Sequence, residues 1–168
     1  QESDKVFDKG SRRKGFNEGR AEELLKTADK LWKETGVPVM ADIVASPGEK
    51  FKKYVDFVTS ISDMPFCVDA IMMPAKLEGA AYCAEQGLLD RMFYNSITVW
   101  EEDLLTEVKE LAQIGVKHVL LVAFDQNDQT PNGRITGAQK LLDAIEKAGA
   151  EFESIIVDTT TLNAPANA

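Results

Sequence analysis

The chain has 168 residues, enough for one domain with a real core, and its 44% apolar and 28% charged fractions are ordinary for a soluble globular protein. A formal charge of −9 argues against a nucleic-acid or anionic-membrane surface. No run reaches the roughly 20 apolar residues of a spanning helix and no signal-peptide pattern opens the chain, so a cytoplasmic protein is expected.

Residues 1–16 read as a polar, aperiodic arm whose basic cluster Arg12-Arg13-Lys14 is a solvated tail. Residues 17–168 read as a single domain. A helix is expected over 17–35, with Ala21, Leu24, Leu25, Ala28, Leu31 and Trp32 on one face and Gly36 as its left-handed stop. A strand follows over 37–43. Ser46-Pro47-Gly48-Glu49 then forms a capping box with proline at the first helical position, before a helix that buries Phe51, Tyr54, Val55 and Val58. Residues 65–70 are a strand and 74–86 a helix stopped at Gly87. Residues 92–97 are the next strand. Thr98 and Glu101 make a second capping box, for a helix that buries Leu104, Leu105, Val108 and Leu111 before Gly115; Trp100-Glu101-Glu102-Asp103 is its charged first turn, favoured by the dipole. The strand over 116–124 is nearly all apolar, as expected when both faces are covered. After the polar loop QNDQTPNGR, Thr136 and Gln139 open a helix that carries Leu141, Leu142 and Ile145 and ends at Gly149. Residues 154–158 are the last strand, and the tail TTTLNAPANA has no period.

Helix and strand thus alternate five times, with right-handed crossovers expected. Such a pattern fits a (β/α)₈ barrel or an open doubly wound sheet. The barrel is favoured, because open-sheet nucleotide folds carry a Gly-rich loop after a strand, and neither G-x-G-x-x-G nor G-x-x-x-x-G-K-[ST] occurs here. The expected class is therefore α/β: a partial (β/α)₈ TIM-type barrel of about five βα units with parallel strands. A full barrel needs roughly 250 residues. The missing strands are expected from further sequence, another chain or a second copy, since open strand edges are costly.

Five apolar runs close on Asp or Asn: VPVMAD on Asp42, PFCVD on Asp69, RMFYN on Asn95, HVLLVAFD on Asp125 and SIIVD on Asp158. Each alone could be a loop or capping residue. Together they fall at equivalent points of successive units, and Asp42 and Asn95 precede the expected caps Ser46 and Thr98 rather than forming them, which aims the group into the mouth of the fold. Carboxylates and an amide, without Lys, Arg or a Gly-rich loop, hold phosphate poorly. They suit a neutral heterocycle rich in N–H donors: on a 2-amino-4-oxo-pyrimidine edge, one carboxylate accepts from both the ring N–H and the exocyclic amine. Pterins carry that edge. Clustered Asp could instead bind Mg²⁺ or Ca²⁺, as in a metal-dependent barrel lyase or aldolase, but ligands spread over five strand ends argue for no metal.

Cys67 and Cys83 read as two buried thiols, Cys67 sharing strand parity with Asp69; with the lone His118 they cannot supply an ordinary zinc site. His118 opens a strand at its amino end, opposite the mouth, which argues against catalysis. Trp32, Trp100 and Tyr94 read as packing, and the parity of Tyr94 turns it toward the helices.

The segments FDKGSRRKGFNEGRAEELLKTADKLWKETGVPVMADIV, PFCVDAI, DRMFYNSI and HVLLVAFDQND, in that order and spacing, resemble the MtrH-type subunit of tetrahydromethanopterin S-methyltransferase and its bacterial relatives, the methylcorrinoid:tetrahydrofolate methyltransferases. The resemblance covers most of 7–165, and DRMFYNSI is its most specific part. PFCVDAI, MFYNSI and SIIVDTT also resemble the pterin-binding strands of methyltetrahydrofolate:corrinoid methyltransferases. The resemblance implies a barrel that moves a methyl group between N5 of a reduced pterin (tetrahydrofolate or tetrahydromethanopterin) and the cobalt of a corrinoid on a partner protein. It assigns Asp69, Asn95 and Asp158, with Asp42 less directly, to the pterin ring, and Asn95 with Asp125 to catalysis. Asp125 stands where such proteins commonly place Asn in an AFN segment; an amide donates to the ring and a carboxylate cannot. The family barrel has one strand before this segment and two after it. A non-catalytic scaffold subunit that docks a corrinoid protein is the alternative reading, and a homo-oligomer is expected.

Overall fold

The computed structural model describes residues 17–45, 49–100 and 103–160. Helix α1 spans Glu18–Thr35, strand β1 Ala41–Val44, helix α2 Glu49–Ile61, strand β2 Phe66–Asp69 and helix α3 Met73–Glu85. Strand β3 spans Met92–Thr98, helix α4 Leu104–Ile114, strand β4 His118–Val122, helix α5 Pro131–Ala148 and strand β5 Ser154–Asp158. The glycine stops hold: Gly36, Gly87, Gly115 and Gly149 all take the left-handed conformation that ends a helix.

All five strands are parallel and their order is β1-β2-β3-β4-β5. A doubly wound sheet reverses its order at a switch point. Here the order never turns back, so every crossover steps the same way and the helices pack successively, each against the next. That is the arc of a TIM-type barrel. Phe66, Val68, Met92, Tyr94, Val119 and Leu121 point to the helices and meet Phe51, Val55, Leu77, Val108, Leu111 and Leu141 in one core. Contact is close at Gly79 of α3, where a Cβ would lie 2.8 Å from Val68 Cγ1 and 3.1 Å from Phe51.

Several boundaries differ from expectation for identifiable reasons. Strand β1 starts at Ala41, and Val37 is exposed, because hydrogen bonding to β2 begins only where Ala41 N–H meets the Pro65 carbonyl. Thr98 is not a helix cap: it ends β3 paired with Val122, and α4 begins at Leu104 behind Asp103. Glu101, Glu102 and the Ser46-Pro47-Gly48 cap lie outside the described residues. Helix α5 opens five residues before Thr136, because the Thr130 hydroxyl caps Gly133 N–H at 3.1 Å and Pro131 occupies the first turn. Leu105 and Leu142 sit one position off the buried stripes and are exposed, as are Leu24 and Leu31 on α1, where Ala21 is the buried residue. Trp100, in the turn after β3, is 51% exposed, not packed. Among the described residues no helix is long and apolar enough to cross a membrane.

Candidate functional site

Strand register arranges the face opposite the helices in levels. Asp42, Cys67, Phe93, His118 and Ser154 are partners across the first level, nearest the amino ends of the strands. Val44, Asp69, Asn95, Leu120 and Ile156 form the second. The register then shifts at a bulge between Asn95 and Ile97, and Thr98, Val122 and Asp158 form the third. Alternate residues of each strand fill the helix-side core, so these levels face the concave side. No Lys or Arg stands in them.

Asp69 and Asn95 are direct neighbours, at the end of β2 and the middle of β3. The Asn95 amide reaches back over β2, and its Nδ2 donates to Asp42 Oδ1 at 3.4 Å. These three side chains make one polar group on the concave face. Burial raises the Asp42 carboxyl above its ordinary range, and the hydrogen bond from Asn95 partly offsets this. Burial also raises Asp69, as does the Asp42 charge, while the Lys76 ammonium opposes both. Cys67 lies beside them, its thiol pushed up to about 12 by burial and by the two carboxylates, so it is no nucleophile. It contacts Met40 Sδ at 2.9 Å. Cys67 and Cys83 are both buried and unbridged.

Asp125 and Asp158 stand apart from that group. Asp125 lies in the turn after β4, where its Oδ1 accepts from Asn127 N–H at 2.8 Å and from Asn127 Nδ2 at 3.1 Å. Asp158 ends β5 on the third level, and its Oδ1 accepts from Thr160 N–H at 2.7 Å. Arg134 ties these two loops together: Nε donates to the Thr159 carbonyl at 2.7 Å, Nη2 to that of Thr160 at 3.0 Å, and Nη1 to that of Gln129. The sequence places Asp69, Asn95, Asp42 and Asp158 on one face; the structure groups the first three closely and holds Asp158 and Asp125 by their own turns.

His118 is buried on the first level, stacked on Phe93 with centroids 4.7 Å apart and Nε2 3.1 Å from the Asp90 carbonyl. It lies at the amino end, away from Asp69. Tyr94 points into the helices, and its hydroxyl donates to Glu107 at 2.6 Å. Lys76, unremarked in the sequence, is 5% exposed and pairs with the fully buried Glu107 at 3.1 Å. Its Nζ sits 4.9 Å over the Tyr94 ring and donates to the Ser96 carbonyl. One signal was available: Glu107 falls on the stripe Leu104, Val108, Leu111 that the sequence marks as buried. Among the described residues no three His, Cys, Asp or Glu are grouped to hold a metal.

Chemically, two carboxylates of raised proton affinity beside an amide form an acceptor-rich patch with one adjustable donor. It matches a ligand edge that brings several N–H groups, and it offers nothing to an anion.

A family model described as "Tetrahydromethanopterin S-methyltransferase MtrH subunit" matches residues 5–168. The chain is similar to the tetrahydromethanopterin S-methyltransferase protein of this type from Methanopyrus kandleri, at 33% identity over 71% of this chain and 37% of that protein. Its counterpart from Methanothermobacter marburgensis is 32% identical over 71% of this chain and 38% of its own length. The counterpart from Methanosarcina mazei is 30% identical over 91% of this chain and 51% of its own length. The chain thus spans about half or less of the length of these relatives.

Proposed function

This chain belongs to the family of the tetrahydromethanopterin S-methyltransferase MtrH subunit, and from that premise we propose that it supplies the pterin half of a methyl transfer between N5 of a reduced pterin and the cobalt of a corrinoid on a partner protein. The family name favours tetrahydromethanopterin over tetrahydrofolate as the carrier. The observation that carries the reading is the Asp42–Asn95–Asp69 group: two carboxylates whose protons are held above the ordinary range, on strand levels that carry no Lys or Arg.

Each residue has a task in this scheme. Asp69 accepts from the pyrimidine ring N–H and its exocyclic amine, replacing lost solvent with two donors. Asp42 holds the Asn95 amide, and Asn95 places a hydrogen bond on the ring. A tertiary amine leaves poorly unless protonated or strongly hydrogen-bonded, so polar contact at N5 is the protein's chemical contribution. Asp158 from the third level and Asp125 from the turn after β4 each have one carboxylate oxygen engaged in their own turn and the other left to meet the ligand. Asp125, at the position where the resemblance implies an Asn, acts as an acceptor toward the ring. The nucleophile or leaving group is the partner's cobalt, so an activated Ser, Cys or Lys is not required. What remains for the protein is orientation and electrostatics. We place the reaction in the cytoplasm, with the corrinoid protein as partner and with further barrel strands or a second copy closing the arc.

The test is methyl transfer itself. Incubated with methyltetrahydromethanopterin and a reduced corrinoid protein, the full protein should methylate the corrinoid, followed by its absorbance change, and Asp69→Ala should slow this at least 100-fold. Capture of the corrinoid protein with no transfer at any enzyme level would instead favour the docking-scaffold reading.

A further inference from the structure

We propose that the buried Lys76–Glu107–Tyr94 cluster is a positioning device that sets the direction of the Asn95 side chain on the concave face. The inference rests on the reading of Asn95 as a pterin ligand.

Asn95 sits where the β3–β4 register breaks, between the pairs Asn95–Leu120 and Ile97–Leu121. The extra residue, Ser96, has no ladder partner in that pairing. A bulge re-aims the side chain beside it, so whatever holds the bulge also decides where Asn95 points. The holding group is Lys76 from α3, whose Nζ donates to the Ser96 carbonyl. The residue on the other side of Asn95, Tyr94, is held by the same cluster. Its ring lies under Lys76 Nζ at 4.9 Å, and its hydroxyl donates to Glu107 at 2.6 Å. Glu107, from α4, closes the group by pairing with Lys76 at 3.1 Å. Both chain neighbours of Asn95 are therefore gripped from the helix side by one ion pair, while Asn95 projects the other way to Asp42.

Stability alone does not call for this arrangement. Replacing a buried ion pair by apolar groups of similar size is often neutral or stabilising, so a pair 5% and 0% exposed invites a reason beyond folding. The same ammonium also acts on Asp69, the register neighbour of Asn95, favouring its ionised form against burial and the Asp42 charge. One cation thus supports the geometry of the amide and the charge of the carboxylate beside it, without appearing on the ligand face.

The experiment uses the full chain labelled with ¹⁵N-asparagine, unaltered and as Lys76→Met and Lys76→Met/Glu107→Leu, the double variant leaving no orphaned charge. In folded variants the Asn95 side-chain amide resonances should move while those of Asn127 stay, and the dissociation constant for methyltetrahydromethanopterin should rise at least tenfold. A purely structural cluster would lower the melting temperature and leave both readouts unchanged; that result overturns the proposal. Should neither variant fold, the unaltered protein decides. A Lys76 ammonium signal in slow exchange with water, with a cross-peak to Ser96, supports the device, and a freely exchanging ammonium refutes it. Failure of the unaltered chain to bind the pterin would sink the functional reading instead, while the Asn95 resonances would still test the positioning.

Discussion

Asp42 and Asp69 hold their protons more tightly in the folded protein than in the unfolded chain. The native state therefore binds more protons than the unfolded state between the ordinary carboxylate range and the raised values. Stability must fall as pH rises through that window and level off above it. Isosteric removal of either charge, Asp42→Asn or Asp69→Asn, should flatten this fall and raise the neutral-pH stability. The gain should stay below about 1 kcal/mol, since both groups keep contact with solvent. Thermal melts of the three proteins from pH 4 to 8 would show it; variants less stable at pH 7 than at pH 4 by the same margin as the parent would contradict it. The same substitutions should abolish pterin binding, the usual opposition of site and stability. At this scale the sequence was readable where parity governs: Asp69 and Asn95 lie on one face because each strand alternates. It was not readable at Lys76. A lysine in a helix is ordinarily solvated, and only the approach of α4 to α3 shows that this one is enclosed with Glu107.

The elements divide into those whose positions are tightly fixed and those that are not. At Gly79, α3 approaches β2 so closely that an added methyl meets Val68 at 2.8 Å. Helix propensity alone would favour alanine there by about 1 kcal/mol. Overpacking a rigid core costs about 1–3 kcal/mol, and Val68 is fully buried, so the cost wins. Gly79→Ala should destabilise the protein in urea titrations, and a stabilised variant would show that α3 is free to shift. Breaking the ion pair from one side is more severe: Lys76→Ala, which takes the ammonium away from the fully buried Glu107, should cost about 3–5 kcal/mol. The double replacement should recover most of that in the same titration, and two additive losses would mean that the groups are not coupled. Helix stops were legible because glycine takes the left-handed conformation at no steric cost. Helix starts were not. By sequence α5 opens at Thr136 with Thr130-Pro131 in the loop, whereas Thr130 caps the helix and Pro131 fixes its first turn. Thr98 fits a capping box by sequence, yet its pairing with Val122 keeps it in the sheet.

Across the molecule, the unreversed strand order explains both the barrel arc and the uneven burial. The central strands carry fully buried Met92, Tyr94, Ile97, Val119 and Leu121. At one end of the arc β5 is fully paired to β4 yet leaves Ile155, Ile156 and Val157 each about 40% exposed. Amide hydrogen exchange should accordingly be slowest in β3 and β4 and faster in β1 and β5; uniform protection over all five strands would mean that both ends of the arc are covered in solution. The fold class was legible because five βα repeats without a phosphate-binding loop leave few architectures. Depth within the arc was not, because register and the bulge at Ser96 arise only on pairing. The proposed pterin-binding patch of Asp42, Asn95 and Asp69 is tested most directly by calorimetric titration with methyltetrahydromethanopterin. Saturable one-site binding should be seen with the unaltered protein, and a loss of at least 100-fold in affinity with folded Asp69→Ala and Asn95→Ala. Absence of binding by the parent, or equal affinity in both variants, would contradict the account.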